Sequence, residues 1–313
     1  MSTAVRDQID RELDQEIFRS AQMAANDLAD LHGATVAAVL FYGSCLRLGT
    51  DDDKILDFYV LCDDLRAANG SWFLGVLNHL LPPNVYYREI ETDNRTIRSK
   101  YALMSLEDFE AAMRPTRFNP SFWARFAQPA ALAYVRDPTG RGRLANALTQ
   151  AVVTAVTKAA PMCTSQVSAD ALWSRLFELT YRAELRAEKA ESKGREIFGE
   201  YADRYRSITE DALRRAGALS SPKEGDAFSI EIERGARRRA TIAWRFRILH
   251  GKGLSLLRLM KAAITFSGGL DYLAWKIRRH SGVEIEVKPW QRRHPLIGGL
   301  WLYLTNRGGG GFS

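Results

Sequence analysis

One stretch of the sequence, Val36–Asp64, restricts the fold more than any other. It reads as an apolar strand over Val36–Tyr42, a Gly43-Ser44 turn, a short polar connection and a second apolar strand over Ile55–Cys62. The second strand contains a single acid, Asp57, and a carboxylate is costly to bury unless it meets a cation or a strong hydrogen-bond donor. The sequence therefore predicts a small sheet that carries a carboxylate with a specific partner.

The turn between these strands has the composition of a phosphate site. Gly43 lets the backbone approach a ligand closely, and Ser44 would begin a helix whose first N–H groups attract phosphate. Phosphate donors at one strand end, beside a carboxylate on the neighbouring strand, are what metal-assisted nucleotidyl transfer requires. The alternative is a strand aspartate that backbone donors satisfy in a non-catalytic domain.

Length and charge limit the other possibilities. A chain of 313 residues can form two domains, and its net charge of +7 favours an anionic partner such as a nucleotide, nucleic acid or an anionic membrane. Three widely separated cysteines indicate a reducing compartment and no zinc site. No apolar run reaches the length of a membrane span, and the acid-rich N-terminus has no signal or transit pattern, so we expect any membrane attachment to be peripheral.

The first part of the chain predicts an α+β domain. We expect one amphipathic helix over Ala4–Leu31, with Met23 in its apolar stripe, and a helix over Ser71–Leu81. Strands are expected over Asn84–Ile90, with Tyr86 and Tyr87 on opposite faces, and over Ser99–Ser105, with a further helix beginning at Ser105. Together with the two strands of Val36–Asp64, this order indicates a mixed sheet with flanking helices.

The second part of the chain is predicted to be mostly helical. The predicted helices cover Gly142–Ala160, Ser168–Lys193 and Ile197–Gly217, and Ser220–Gly225 has the composition of a linker. We therefore expect three consecutive segments: a first domain over residues 1–137, a helical domain over residues 138–222, and a basic C-terminal segment over residues 223–313.

Two basic stretches follow the predicted linker. Arg234–Arg247 is either a solvated helix face or a surface for anionic lipid or nucleic acid. Leu254–His280 combines apolar helical faces with lysines and arginines beside Tyr272 and Trp275, which is typical of a segment at a membrane interface.

Several motifs, taken in order, resemble one family. A Gly-Ser turn followed by a strand aspartate resembles the nucleotidyltransferase superfamily typified by DNA polymerase beta, in which a second acid commonly stands where this chain has Tyr59. More closely, FYGSCLRLG, ILDFYVLCDD, VYYREI, SKYALMS, FWARFAQP, LTYRAELR and the segment after Leu254 resemble the mitochondrial-type phosphatidate cytidylyltransferases. That family also lacks the second acid, whereas Cys45 and Ala102 replace family glycines and Gln128 replaces a family lysine.

This resemblance implies a nucleotidyltransferase domain, a winged-helix-like helical domain and a basic membrane-binding end. It implies transfer of CMP from CTP to phosphatidic acid, with Mg²⁺ as cofactor, giving CDP-diacylglycerol and pyrophosphate for phosphatidylglycerol and cardiolipin synthesis. The implied partners are CTP, phosphatidic acid and an anionic membrane surface, with a homodimer as a candidate assembly and no nucleic acid. The implied location is the inner leaflet of a bacterial inner membrane, or the matrix side of the mitochondrial inner membrane.

The resemblance also assigns roles to individual residues. Asp57 is the expected Mg²⁺ ligand, and the candidates for a second acid are Asp63, Asp64, Glu89 and Glu184. The alternative role of Asp63-Asp64 is that of a helix N-terminal cap. The residues expected to bind the nucleotide are Tyr42, Gly43, Ser44, Tyr86 and Lys100. Arg125 is expected to serve CTP or the lipid headgroup, with a buried pair to Glu184 as its alternative. The residues expected near the headgroup or in the charge network of the helical domain are Tyr181, Glu184, Arg186 and Lys261.

Two other functions fit the same residues. The chain could transfer a nucleotide to RNA, a small alcohol or a protein side chain, and Arg234–Arg247 is the best support for an RNA acceptor. It could also be a degenerate domain that binds nucleotide or membrane as a scaffold, which Cys45 and Tyr59 motivate.

Overall fold

A computed structural model describes residues 3–52, 54–69, 75, 76, 78, 80–92, 95–184, 190–224, 227–233, 235–265, 288 and 290. The helices are α1 Ala4–Leu13, α2 Arg19–His32, α3 Ser44–Leu48, α4 Leu65–Asn69, α5 Leu106–Met113, α6 Trp123–Phe126, α7 Pro138–Ala159, α8 Ala169–Arg182, α9 Ala190–Glu200, α10 Ala202–Arg215 and α11 Ala236–Thr265. The strands are β1 Val36–Tyr42, β2 Leu56–Cys62, β3 Asn84–Glu91, β4 Thr96–Ser105, β5 Ala130–Val135, β6 Gln166–Ser168, β7 Leu219–Glu224 and β8 Ala227–Ile230.

The larger sheet confirms the predicted α+β class. It is a mixed sheet of five strands in the order β3-β4-β2-β1-β5, with flanking helices. β1 and β2 pair antiparallel, so that Tyr42 lies opposite Asp57, and β3 and β4 form an antiparallel hairpin. A second sheet, in the order β6-β8-β7, has three antiparallel strands that the sequence did not predict.

The contacts of the chain define two compact units, each discontinuous in sequence. The helical unit comprises Met1–Ile17 and Ser105–Leu256, and the sheet unit comprises Phe18–Met104 with the described residues from Leu257 onward. This division differs from the three consecutive segments predicted with boundaries at residues 137 and 222. In the described part of the chain, no helix combines the length and hydropathy of a membrane span.

The predicted helix over Ala4–Leu31 is wrong as a single element. The structure has α1 and α2, separated at Asp14–Phe18, because the two helices bury stripes in different units. The apolar spacing on which the prediction rested is nearly continuous across the break, but Met23, which was counted in the stripe, is exposed. Periodicity alone does not reveal that the two stripes have different partners.

Two further boundaries differ from the prediction. Ser220–Gly225, predicted as a linker, coincides largely with β7, an edge strand whose partner β8 lies nearby in sequence. An edge position tolerates Pro222, which lacks an N–H, so the proline did not exclude a strand. The predicted helix over Ser168–Lys193 is two helices, α8 and α9, with Gly194 of α9 packed so closely on α8 that a Cβ would lie 2.6 Å from the Ser174 carbonyl oxygen.

A buried ion pair fixes α1 in the helical unit. Arg204 of α10 donates to both carboxylate oxygens of Glu12 at 2.5 and 3.1 Å and to the Ala127 carbonyl oxygen at 2.8 Å. Both side chains are almost fully buried, at 5% and 7% exposure. Removing one partner of such a pair leaves an uncompensated charge in a medium of low polarity.

We therefore expect Glu12→Ala to lower the free energy of unfolding by about 3–5 kcal/mol. Glu191→Ala is the matched control, because it breaks a pair with Arg195 in which both side chains are about 70% exposed, and we expect it to change stability by less than about 0.5 kcal/mol. Urea unfolding followed by circular dichroism measures both values. Equal losses in the two variants would contradict the role of the buried pair.

Candidate active site

Asp57 and Gly43 meet where β1 ends and β2 begins. Gly43 directly follows Tyr42, and its φ of +90° with ψ of −161° lies in a region that only glycine adopts without strain. A Cβ on Gly43 would lie 3.2 Å from Asp57 Oδ2. The backbone of the turn therefore passes directly against the carboxylate.

Helix α3 follows this turn and begins at Ser44. The first N–H groups of a helix have no partner within the helix, so they can serve an anion. Cys45 faces inward, and its Sγ donates to the Ile55 carbonyl oxygen at 3.3 Å. Burial, and to a smaller extent the negative charge of Asp57, raises the pKa of the Cys45 thiol to about 11. The thiol thus stays protonated and anchors the turn.

The two faces of the sheet can be told apart by their aromatic contacts. Phe18, just before α2, packs on Phe41, and Phe41 packs on Phe58, with ring centroids 5.7 and 5.1 Å apart. These phenylalanines lie on the face that α2 covers. Since side chains alternate along a strand, Asp57 lies on the opposite face. We call this the Asp57 face, and Tyr42 and Tyr59 pack together on it with centroids 5.4 Å apart.

Contacts at both ends show that β2 and β4 run parallel. At their beginnings, Arg95 donates to the buried Asp51 at 2.9 Å. Towards their other ends, one side chain bridges the two strands: His32 forms hydrogen bonds with the Tyr101 hydroxyl of β4 at 3.3 Å and with the carbonyl oxygen of Ala68, just after β2, at 3.0 Å. Because β4 neighbours β2 in the sheet, residues early in β4 lie level with Asp57.

This geometry separates the predicted nucleotide-binding residues. Tyr86 stacks on Tyr101, with centroids 5.2 Å apart, and Tyr101 contacts His32 of α2, so Tyr86 lies on the α2 face and not on the Asp57 face. Lys100, the neighbour of Tyr101, lies on the Asp57 face. The prediction that Tyr86 and Tyr87 point to opposite faces is confirmed, although Tyr87 is the one on the Asp57 face.

Arg98 is a basic residue of the Asp57 face that sequence reasoning missed. It precedes Lys100 by two positions in β4, so the two residues lie about 7 Å apart along the strand and point to the same face. Its Nε donates to Glu89 at 3.1 Å, and the Tyr87 hydroxyl donates to the same carboxylate oxygen at 2.7 Å. The hairpin register, in which Glu89 pairs with Arg98, could have identified this group.

The structure does not gather the predicted acids into one cluster. Asp63 follows the far end of β2, about 20 Å along the strand from Asp57, and its N–H donates to the Thr35 carbonyl oxygen. Asp64 accepts from the N–H groups of Arg66 and Ala67 and so caps α4. Glu89 is engaged by Arg98. Among the described residues there is no group of three or more histidine, cysteine, aspartate or glutamate side chains that could hold a metal.

Three of the predicted site residues belong to the helical unit, and a fourth is not among the residues that the structure describes. Arg125 lies in α6, Tyr181 lies in α8 and Glu184 follows α8, each partly exposed within the helical unit. Arg186 lies outside the described residues.

Lys261 does not have the exposed position that headgroup binding requires. It is 8% exposed, and its ammonium donates to the carbonyl oxygens of Leu81 and Pro83 at 2.5 and 3.0 Å. Arg258, one turn earlier in α11, donates to the Pro82 carbonyl oxygen at 3.1 Å. Burial, and to a smaller extent the charge of Arg258, lowers the pKa of Lys261 to about 8. In the sheet unit, Lys261 therefore holds the loop before β3.

The sequence matches no protein-family model and no curated protein.

The Lys261 environment gives a pH-dependent contribution to stability. Because the folded pKa of about 8 is below the ordinary value of 10.5, the unfolded chain binds a proton between these pH values that the folded chain lacks. The burial of the charged ammonium thus destabilises the fold fully below pH 8, and this destabilisation disappears as the pH rises towards 10. Relative to Lys261→Met, we expect wild type to gain stability between pH 8 and 10 in urea titrations. Parallel pH profiles for the two proteins would contradict this origin of the shift.

Proposed function

We propose that the chain is a CTP:phosphatidate cytidylyltransferase with a nucleotidyltransferase-like sheet and a winged-helix-like helical unit. The contact between Gly43 and Asp57 carries the proposal, because it joins a backbone turn suited to phosphate with a carboxylate suited to a cation. Two observations support the winged-helix-like assignment of the helical unit. They are the order along the chain of α7, β6, α8, α10 and the β7-β8 hairpin, and the sheet order β6-β8-β7.

The Asp57 surroundings fit a magnesium ion. The carboxylate is partly exposed at the mouth of the turn, where a Cβ on Gly43 would crowd it, so the glycine leaves space there. Mg²⁺ is commonly bound by one or two carboxylates, with phosphate oxygens and water completing the octahedron. When bound, the ion would neutralise charge on the triphosphate, and Asp57 would hold it.

The other residues of the turn would bind and orient the nucleotide. Backbone N–H groups at Gly43, Ser44 and the start of α3 would receive the β- and γ-phosphates. The attacking atom is a phosphate oxygen of the lipid, already largely ionised near neutral pH, so the chain needs no general base. The barrier is then mainly one of position and of repulsion between anions, which cationic side chains such as Lys100 relieve.

The lipid acceptor is supported by one side of α11. Residues 236–265 contain no acid, and large apolar side chains spaced by three, four or seven positions are exposed in the helix: Ile242, Phe246, Leu249 and Leu256. Arginines and lysines flank them. An apolar stripe with a cationic border suits the surface of an anionic membrane. On this proposal the protein would work as a peripheral protein on the inner leaflet or the matrix side, as the family resemblance implies.

Pyrophosphate release from each of the four ribonucleoside triphosphates, with Mg²⁺ and with or without phosphatidate micelles, tests the reaction. Release that requires both CTP and phosphatidate is the expected result. Release without lipid would favour an RNA, small-molecule or protein acceptor. Tight binding of Mg-CTP with no release on any acceptor would favour a scaffold.

We expect Asp57→Asn to lower kcat by about 100-fold or more, since it removes the charge that would hold the cation against the triphosphate. The substitution is nearly isosteric, so the thermal unfolding midpoint should change little. A folded Asp57→Asn protein with wild-type turnover would overturn the assignment.

A pair of glycine variants provides a matched control for the same site. Gly33 and Gly43 have similar backbone angles, with φ of +58° and +90° and ψ of −142° and −161°. A Cβ on Gly33 meets nothing within 4 Å, whereas one on Gly43 meets Asp57. Both alanine variants should lose stability, but only Gly43→Ala should lose Mg-CTP binding in calorimetry.

For membrane binding, we expect the double variant Phe246→Glu and Leu249→Glu to weaken association with phosphatidylglycerol vesicles by about tenfold or more, because each buried apolar side chain is worth about 1.5–3 kcal/mol. The two side chains are 61% and 71% exposed, so the fold should tolerate the change. Leu31→Glu is the control, since Leu31 is exposed on α2. Equal vesicle binding by both variants and wild type in co-sedimentation would contradict the role of α11.

A further inference from the structure

We infer that Arg98, held by Glu89 and Tyr87, binds the phosphate of the acceptor rather than the phosphates of the nucleotide. This inference rests on the proposed function, and it names a side chain for which the family resemblance gave no role. Arg98 shares the Asp57 face of the sheet with Lys100.

The sheet order places the two groups of phosphate donors on different sides of Asp57. β2 lies between β1 and β4. The Gly43-Ser44 turn follows β1, whereas Arg98 and Lys100 belong to β4. All of these residues lie within the sheet unit. A phosphorus atom positioned over Asp57 would thus have the turn on one side and the cations of β4 on the other.

The stereochemistry of phosphoryl transfer gives these two sides different roles. The attacking and leaving oxygens lie roughly in line through the phosphorus. If the β- and γ-phosphates of the nucleotide occupy the turn, the leaving pyrophosphate departs towards β1, and the acceptor approaches from β4. Arg98 then faces the acceptor.

The chemistry of Arg98 suits an acceptor that is itself a phosphate monoester. A guanidinium offers five N–H donors in a planar fork that matches two oxygens of a phosphate. Glu89 takes the Nε donor at 3.1 Å and itself accepts from the Tyr87 hydroxyl, which fixes the plane of the fork. The side chain is 26% exposed, so it is accessible to a ligand while remaining oriented.

Transfer of CMP to phosphatidate requires no proton transfer. An ionised phosphate oxygen of phosphatidate forms a bond to the α-phosphorus, while the bond from that phosphorus to its bridging oxygen breaks. The electron pair of the broken bond leaves with pyrophosphate. Arg98 attracts the acceptor phosphate and offsets its repulsion from the triphosphate of the nucleotide. It therefore strengthens binding of the acceptor.

Arg98→Gln tests the inference, with Arg88→Gln as the matched control. Arg88 lies in the same hairpin on the α2 face, where it pairs with Asp27 at 2.8 Å, so its removal breaks a comparable half-exposed ion pair. We expect Arg98→Gln to raise KM for dioctanoyl phosphatidate by about 10- to 100-fold, to leave KM for CTP within about twofold, and to be partly rescued by Arg98→Lys. Arg88→Gln should change neither constant.

Two kinetic results would overturn the inference. One is a loss of CTP affinity in Arg98→Gln as large as the loss for phosphatidate, which would place Arg98 on the nucleotide side. The other is an unchanged KM for phosphatidate.

Calorimetry separates failure of this inference from failure of the proposed function. If wild type releases no pyrophosphate with any acceptor, the proposed activity is wrong, and titration with dioctanoyl phosphatidate alone then decides the inference. Binding by wild type and Arg88→Gln that is lost in Arg98→Gln would support an anion site at Arg98. No binding by wild type, or equal binding by all three proteins, would overturn it.

Discussion

The close approach of a backbone turn to a carboxylate is the constraint on which the candidate site depends. Asp57 can occupy the second position of a central strand because the residue that follows β1 is a glycine. A Cβ at that position would lie only 3.2 Å from the carboxylate oxygen of Asp57. Any other residue at position 43 would be strained by its backbone angles and would crowd Asp57 as well. The antiparallel pairing of Tyr42 with Asp57 fixes this contact, so the site is a product of strand register rather than of a flexible loop.

Local sequence was sufficient to predict the part of the site that local geometry builds. A glycine after an apolar strand and one acid early in the next strand predicted a turn and a carboxylate on neighbouring strands, and β1 and β2 do pair. Alternation also predicted that Tyr86 and Tyr87 would face opposite sides. It could not say which of them would share the face of Asp57, because that depends on α2 contacting Tyr101 through His32. A helix distant in sequence decides which side of the sheet is covered.

Residues whose partners are remote were predicted least well. Lys261 lies about 180 positions from the carbonyl groups of Leu81 and Pro83 that it contacts, and nothing in a basic amphipathic pattern distinguishes a buried cation from an exposed one. The pair of Glu12 with Arg204 is equally remote. It explains why α1 belongs to the helical unit although its apolar stripe runs on towards α2. The spacing of apolar residues predicts that one face of a helix is buried, but it does not predict which element that face packs against.

The distribution of charge about Asp57 also bears on the nature of the acceptor. An alcohol acceptor would need a base to take its proton, whereas a phosphate monoester needs cations to overcome repulsion from the nucleotide. Arg98 and Lys100 of β4 lie on the same face of the sheet as Asp57. The two acids of that hairpin face already accept hydrogen bonds within the hairpin: Glu89 from Arg98 and Tyr87, and Glu91 from the Thr96 hydroxyl. The carboxylates of this hairpin face are therefore engaged by donors of the hairpin itself. For the proposed transferase, the polar groups of this face therefore favour an anionic acceptor over a hydroxyl, and all of these groups belong to the sheet unit.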